Sequence, residues 1–241
     1  MKKILIIEAG KAVVNLGDKE INFTNRIINQ AGLKKDKVMV NSAYKSEPLA
    51  DLDQISGAII TGSPNMVTEE KEWILMISDW LKEVAKTKIP VLGICFGHQL
   101  IAKTFGGEVD YHPDGKEIGT VDIKLTEAGK KDPLLALLPE EFLAHVIHDQ
   151  TVISLPKKAR RLARNDFESN HAFALFDNFW GVQFHPEFNA EIMSQYIKKY
   201  QAQLSKAGRD VDEIFNSVQK LDYGKILLQG FIKMIKKGDL N

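Results

Sequence analysis

Short apolar runs alternate with longer segments of helical period through the first hundred residues, and this alternation restricts the chain to few architectures. Lys3 to Ile7, Val38 to Val40, Gly57 to Thr61 and Val91 to Ile94 read as strands, and Gly57-Ala58-Ile59-Ile60 carries no polar face. A strand apolar on both sides belongs in a sheet covered on both sides. Between Glu69 and Lys86, Trp73, Ile74, Ile77, Trp80, Leu81 and Val84 recur on one side of a helix, with Glu, Lys and Asp opposite. Glu20 to Ala31 reads as a second helix. The expectation is an α/β fold, a largely parallel central sheet with flanking helices.

Further along, Glu108 to Phe173 holds short alternating runs such as Thr120 to Leu125, expected as antiparallel excursions that line one side of a pocket. After His185 the pattern is helical again, with Ile192, Tyr196, Ile197 and Tyr200 spaced to face the sheet. From Ser205 the chain becomes strongly charged. Two helical patterns follow, Asp210 to Leu221 and Lys225 to Lys236, the second with Ile226, Leu227, Phe231, Ile232 and Ile235 as an apolar stripe. This divides the chain into a domain over 1–204 and a C-terminal helical extension over 205–241, packed on the domain or docking a partner.

Composition narrows the function classes. At 241 residues and 44% hydrophobic content, one large domain can bury a full core. Basic and acidic residues number 32 each, so no overall field favours nucleic acid or an anionic membrane surface, and a small or neutral substrate suits the balance. The basic-then-apolar start ends at Glu8, too early for a signal peptide or a membrane span. A single cysteine forms no intrachain disulfide and no thiol-zinc cluster, and it agrees with a reducing, cytoplasmic setting.

That cysteine lies in Gly93-Ile94-Cys95-Phe96-Gly97, directly after an apolar strand and before His98 to Lys103, which has helical composition. Strand, sharp turn and helix form a nucleophile elbow, where flanking glycines permit close backbone approach. A free thiol with a pKa near roughly 8.5 supplies little thiolate at neutral pH, so a helix N-terminus and a histidine would have to favour the anion. The base candidate is in Gly181-Val182-Gln183-Phe184-His185-Pro186-Glu187-Phe188. Residues two apart in an extended segment point to one side, so Glu187 reaches the His185 imidazole, with Pro186 enforcing extension at His185. Alone, each motif has a bland reading: an unreactive buried cysteine, a loop cap or one face of a metal site. Together, in the order Cys, His, Glu, they read as nucleophile, base and orienting acid.

Gly-Ile-Cys-Phe-Gly-His-Gln with Gly-Val-Gln-Phe-His-Pro-Glu resembles the class I glutamine amidotransferases over roughly residues 1 to 200, particularly stand-alone proteins similar to the amidotransferase domain of GMP synthase. The resemblance implies a flavodoxin-like sheet and a Cys95–His185–Glu187 triad. That triad would form a γ-glutamyl thioester from glutamine, release ammonia and hydrolyse the thioester. It implies oxyanion donors on the backbone of Phe96 and of the Thr61-Gly62-Ser63-Pro64 loop, and substrate contacts from Gly62, Ser63, Gln99 and His148. The Ile147-His148-Asp149-Gln150-Thr151-Val152 segment departs from the family's Ser-His-x-Asp-x-Val, with Ile147 for serine and Gln150 for aspartate. His145 and His112 are expected to be structural or exposed, and His171 is assigned no chemistry.

With no P-loop, dinucleotide fingerprint or metal-ligand cluster in the sequence, no cofactor and no metal are expected. The expected partners are glutamine or another γ-glutamyl compound, together with an ammonia-accepting synthase or a second copy of the chain. Two alternatives stay open: cleavage of other γ-glutamyl amides or peptides by the same triad, and a non-catalytic scaffold.

Overall fold

The computed structural model describes residues 2–238, so Met1 and the last three residues of the expected 205–241 extension lie outside the described residues. The chain runs β1 (Lys3–Ile7), β2 (Asn15–Leu16), β3 (Lys19–Glu20), α1 (Phe23–Ala31), β4 (Val38–Asn41), β5 (Ile55–Ile60), α2 (Glu72–Val84), β6 (Val91–Ile94) and α3 (Phe96–Thr104). It continues through β7 (Glu108–Tyr111), β8 (Glu117–Leu125), β9 (Glu141–His148), β10 (Gln150–Ser154), β11 (Arg160–Arg164), β12 (Ala172–Leu175) and β13 (Phe179–Val182). Three helices close it: α4 (Ala190–Lys206), α5 (Val211–Asn216) and α6 (Tyr223–Gly238).

One nine-stranded sheet, ordered β4-β1-β5-β6-β13-β12-β11-β8-β9, organises the molecule. Its first five strands are mutually parallel. Taken in chain order they read 2-1-3-4-5, the flavodoxin-like arrangement, in which ligands bind beyond the carboxyl ends of the strands. The other four strands pair antiparallel, as expected for the middle region. α2 and α3 cover one face, with Ile77, Leu81, Phe96 and Ile101 against Leu5, Ile7 and Ile60. α1 and α6 cover the other, with Ile27, Phe231 and Ile235 against Ile4, Ile6 and Ile59.

Several boundaries move for local reasons. α1 starts at Phe23 rather than Glu20, because Glu20 pairs with Asn15 across a hairpin and the Asn22 side chain caps the helix by accepting from the Asn25 N–H at 2.7 Å. The helix expected over Asp210 to Leu221 is confined to α5, capped by Asp210. In α6 the buried stripe is Leu227, Leu228, Phe231, Ile232 and Ile235, while Ile226 is 40% exposed. Leu228 takes its place because 227/228, 231/232 and 235 lie on one helix face. Gly57 admits α6 closely: a Cβ there would stand 2.4 Å from Ile235 Cδ1. α4 packs Ile192, Tyr196 and Ile197 on Phe23, Phe188 and Ile118, over the antiparallel arm and the β2–β3 hairpin rather than the parallel strands. No helix among the described residues is long and apolar enough to cross a membrane.

Candidate active site

β6 ends at Ile94, and the chain reverses into α3 through Cys95, which holds φ 50° and ψ −98°. A side chain other than glycine at positive φ is strained and persists only where its surroundings fix it. Here the Cys95 N–H donates to Val182 O at 2.8 Å, and the two flanking glycines give the room. A Cβ on Gly93 would meet the Gly97 carbonyl at 2.4 Å, and one on Gly97 would meet Ile60 O at 2.7 Å. The thiol thus stands at the first turn of α3, where free amides and the helix dipole favour an anion. Sγ lies 3.6 Å from Ile147 O.

His185 follows β13 and is anchored by its N–H to His145 O at 2.8 Å, with its ring stacked on Phe188 at 4.1 Å. Its Nδ1 lies 2.8 Å from Glu187 Oε1. The His-Pro-Glu segment is a tight turn, not the extended run expected from sequence: the Phe188 N–H donates to His185 O at 3.2 Å. Pro186 sits at the second position of that turn, where its fixed φ is favoured, and the reversal carries the carboxylate back to the ring. Burial pulls the His185 pKa down, but the charges of Glu187 and then Cys95 outweigh it and raise it to about 10. Glu187 is fully buried behind the ring.

Ser63, Cys95, Phe96, Gln99, His148 and His185 line one cleft of about 110 Å³ at the carboxyl edge of the parallel strands, while Gly62 and Glu187 lie outside its lining. A methyl on Gly62 would lie 2.9 Å from His185 Cε1 and 3.8 Å from Cys95 Cβ, so this loop backbone presses against both side chains. Ser63 lines the cleft and turns its Oγ to the Asn65 N–H at 3.1 Å. Phe96 buries its ring against Trp73, so its backbone N–H is its polar group nearest Cys95. Gln99 donates from Nε2 to Gln150 O at 2.7 Å and to Gln183 Oε1 at 3.0 Å, which leaves Oε1 as the atom it can offer a ligand.

His148 also lines the cleft, yet both of its nitrogens are engaged: Nε2 lies 2.8 Å from Glu117 Oε2 and Nδ1 3.0 Å from Gln150 O. Any contact it makes with a ligand is through the ring. The Gln150 side chain accepts from the Val67 N–H at 3.2 Å and donates to Thr68 Oγ1 at 2.7 Å. The sequence reading missed the charged pair beside it. Lys116 Nζ bonds Asp149 Oδ2 at 2.5 Å and stands 4.3 Å above the Tyr200 ring. Asp149 could have been noticed as the neighbour of His148, but Lys116 gives no local signal, since its partner is 33 residues away. His145 is structural, bonded to Thr120 Oγ1 at 3.1 Å, and burial, then the charge of His185, lower its pKa to about 4. His112 stacks on Phe167 at 4.1 Å.

A 2-1-3-4-5 sheet with a strained cysteine elbow and a buried His–Glu pair at its carboxyl edge is the arrangement of an α/β protein suited to cysteine-based hydrolysis. The chain belongs to the class-I glutamine amidotransferase family, whose model matches residues 13–202. Among its relatives, gamma-glutamyl peptidase 4 of Arabidopsis thaliana is 30% identical over 68% of this chain and 69% of its own. A glutamine-hydrolyzing GMP synthase subunit from Methanococcus aeolicus is 30% identical over 77% of this chain and 95% of its own. The fold matches a glutamine amidotransferase from Thermotoga maritima at a TM-score of 0.75, covering 98% of both chains at 21% identity.

Proposed function

We propose that the protein hydrolyses a γ-glutamyl amide, with glutamine as the substrate, through a thioester on Cys95. The observation that carries this reading is the meeting of the Cys95 elbow with His185, itself bonded to buried Glu187, in one cleft. His185 holds the proton of Cys95 as an imidazolium, and the thiolate Sγ attacks the amide carbon. The oxyanion forms beside the amides of Phe96 and of the Gly62-Ser63 loop, donors fixed before reaction begins. His185 then protonates the nitrogen, ammonia leaves, and the γ-glutamyl thioester remains. Water attacks that thioester, giving up a proton to His185, and glutamate departs as the thiolate–imidazolium pair is restored. Glu187 holds the Nδ1 tautomer and stabilises the imidazolium.

A second reading, cleavage of γ-glutamyl peptides, is favoured by the Ile147–Gln150 wall. Its side chains are apolar or engaged elsewhere, and Lys116–Asp149 offers opposite charges to an amino-acid group. The relative named as a gamma-glutamyl peptidase is consistent with it. The kcat/KM for glutamine, measured beside those for γ-glutamyl peptides, separates the two: preference for glutamine supports the first, and preference for a peptide replaces it. Glutamate release should vanish in Cys95→Ala, and unchanged turnover in that variant would sink both.

We place the reaction in the reducing cytoplasm, where a free thiol persists. α6 commits its apolar stripe to the domain's own core. In this reading α5 and its exposed flanks, rather than α6, meet a synthase that uses the ammonia or a second copy of the chain.

A further inference from the structure

The reaction above uses one histidine–carboxylate pair, and the cleft wall carries another. Glu117, on β8, is buried. Its Oε1 accepts from Asn165 Nδ2 at 2.8 Å, and its Oε2 faces His148 Nε2 at 2.8 Å and His171 Nε2 at 3.4 Å. The opposite nitrogen of His148, Nδ1, faces the Gln150 carbonyl at 3.0 Å. A carbonyl oxygen only accepts, so Nδ1 carries a proton. Nε2 faces a buried carboxylate whose other oxygen already serves as an acceptor, and a buried carboxylate requires a cationic partner. His148 is the nearer of the two imidazoles on this oxygen, at 2.8 Å against 3.4 Å for His171, and protons on both of its ring nitrogens would satisfy these contacts. His148 lines the cleft with Cys95, so a charge on its ring borders the site, while its two nitrogens face Glu117 and the Gln150 carbonyl.

We propose that Glu117 is a positioning residue that keeps His148 protonated on both ring nitrogens, and that the imidazolium so fixed is a second cation, beside His185, holding Cys95 as thiolate in the resting site. The electrostatics agree. Burial pulls the His148 pKa down, but the hydrogen bond and charge of Glu117, with further help from Glu168 and Cys95, leave it raised. Burial pushes the Glu117 pKa up, but the hydrogen bonds of His148 and His171 hold the carboxyl far below its usual range. The other titratable neighbours include His171, whose ring centre is 6.3 Å from that of His148, His98 on α3, which burial keeps neutral with a pKa lowered to about 3, and on the same cleft wall the Lys116–Asp149 ion pair.

This inference rests on Cys95 being the nucleophile, but its test needs no substrate. On the full chain, the rate of Cys95 alkylation by iodoacetamide is followed from pH 6 to pH 10, in the native protein and in Glu117→Gln. The expected result is a variant slowed about fivefold or more near pH 7 and within about twofold of the native rate at pH 10, the signature of a lost cation near the thiolate. Equal rates at both pH values, or equal slowing at both, would overturn it, the latter by making Glu117 merely structural. A second measurement does not depend on the variant folding: ¹⁵N shifts of the His148 ring in the native protein at pH 8 should show two protonated nitrogens. One protonated and one bare nitrogen would refute the proposal. Absence of any γ-glutamyl turnover leaves both readouts intact, whereas a Cys95 inert to alkylation at every pH removes the nucleophile reading along with this one.

Discussion

Cys95 at φ 50° is held in a conformation that only its flanking glycines allow. Gly93→Ala should be among the most damaging single-methyl changes in the molecule, because the new Cβ would meet backbone at 2.4 Å and backbone cannot swing aside. We expect a loss of roughly 1–3 kcal/mol in denaturant unfolding, with activity lost as the elbow distorts. Glu187→Gln keeps the shape of the turn but removes the charge that stabilises the imidazolium. Steady-state kinetics should show kcat lowered about 10²- to 10⁴-fold with KM little changed. The residues that carry local patterns were legible: Cys95 between two glycines, and His185 with Glu187 across one proline. Glu117 and Lys116 were not, because each acquires its meaning from a partner some thirty residues away on another strand.

At the scale of elements, α6 shows why a stripe read from sequence can be right in kind and wrong in one member. Ile226 and Leu228 flank the true centre of the face at Leu227, and only packing against β1 and β5 decides which of the two is buried. Phe231→Ala should cost about 3–5 kcal/mol by equilibrium unfolding, whereas Ile226→Ala should change stability by no more than about 0.5 kcal/mol. α6 also braces the site: a Cβ on Gly224 would stand 2.2 Å from Pro186 O, so the start of the helix sits directly on the turn that presents His185 and Glu187. The parallel strands were legible because burial on both faces leaves a continuous apolar run. The His-Pro-Glu turn was not, since proline fits an extended segment and the second position of a turn equally well.

For the whole molecule, the buried histidines predict how stability follows pH. His185, raised to about 10 in the folded state, contributes stability that is full below its unfolded value near 6.5 and is lost as pH rises toward 10. His98 and His145, lowered to about 3 and about 4, act oppositely: below pH 6.5 the unfolded chain takes up protons that the folded one refuses. Melting temperature should therefore peak near pH 6.5 to 7 and fall on both sides, and His145→Gln should flatten the acid limb between pH 6 and 4. The global order of the sheet, with its switch from parallel to antiparallel pairing beyond β13, emerges from alternation of strand and helix in the first half and its absence in the middle. The cleft forms where those two halves meet, at the carboxyl ends of β5, β6 and β13. Its chemistry is tested most directly by acid-quenching the protein during turnover of a γ-glutamyl substrate and mapping the trapped adduct by mass spectrometry. One γ-glutamyl group on Cys95, absent from Cys95→Ser under the same quench, is the predicted result. Turnover with an unmodified Cys95, or with the adduct on another residue, would contradict it.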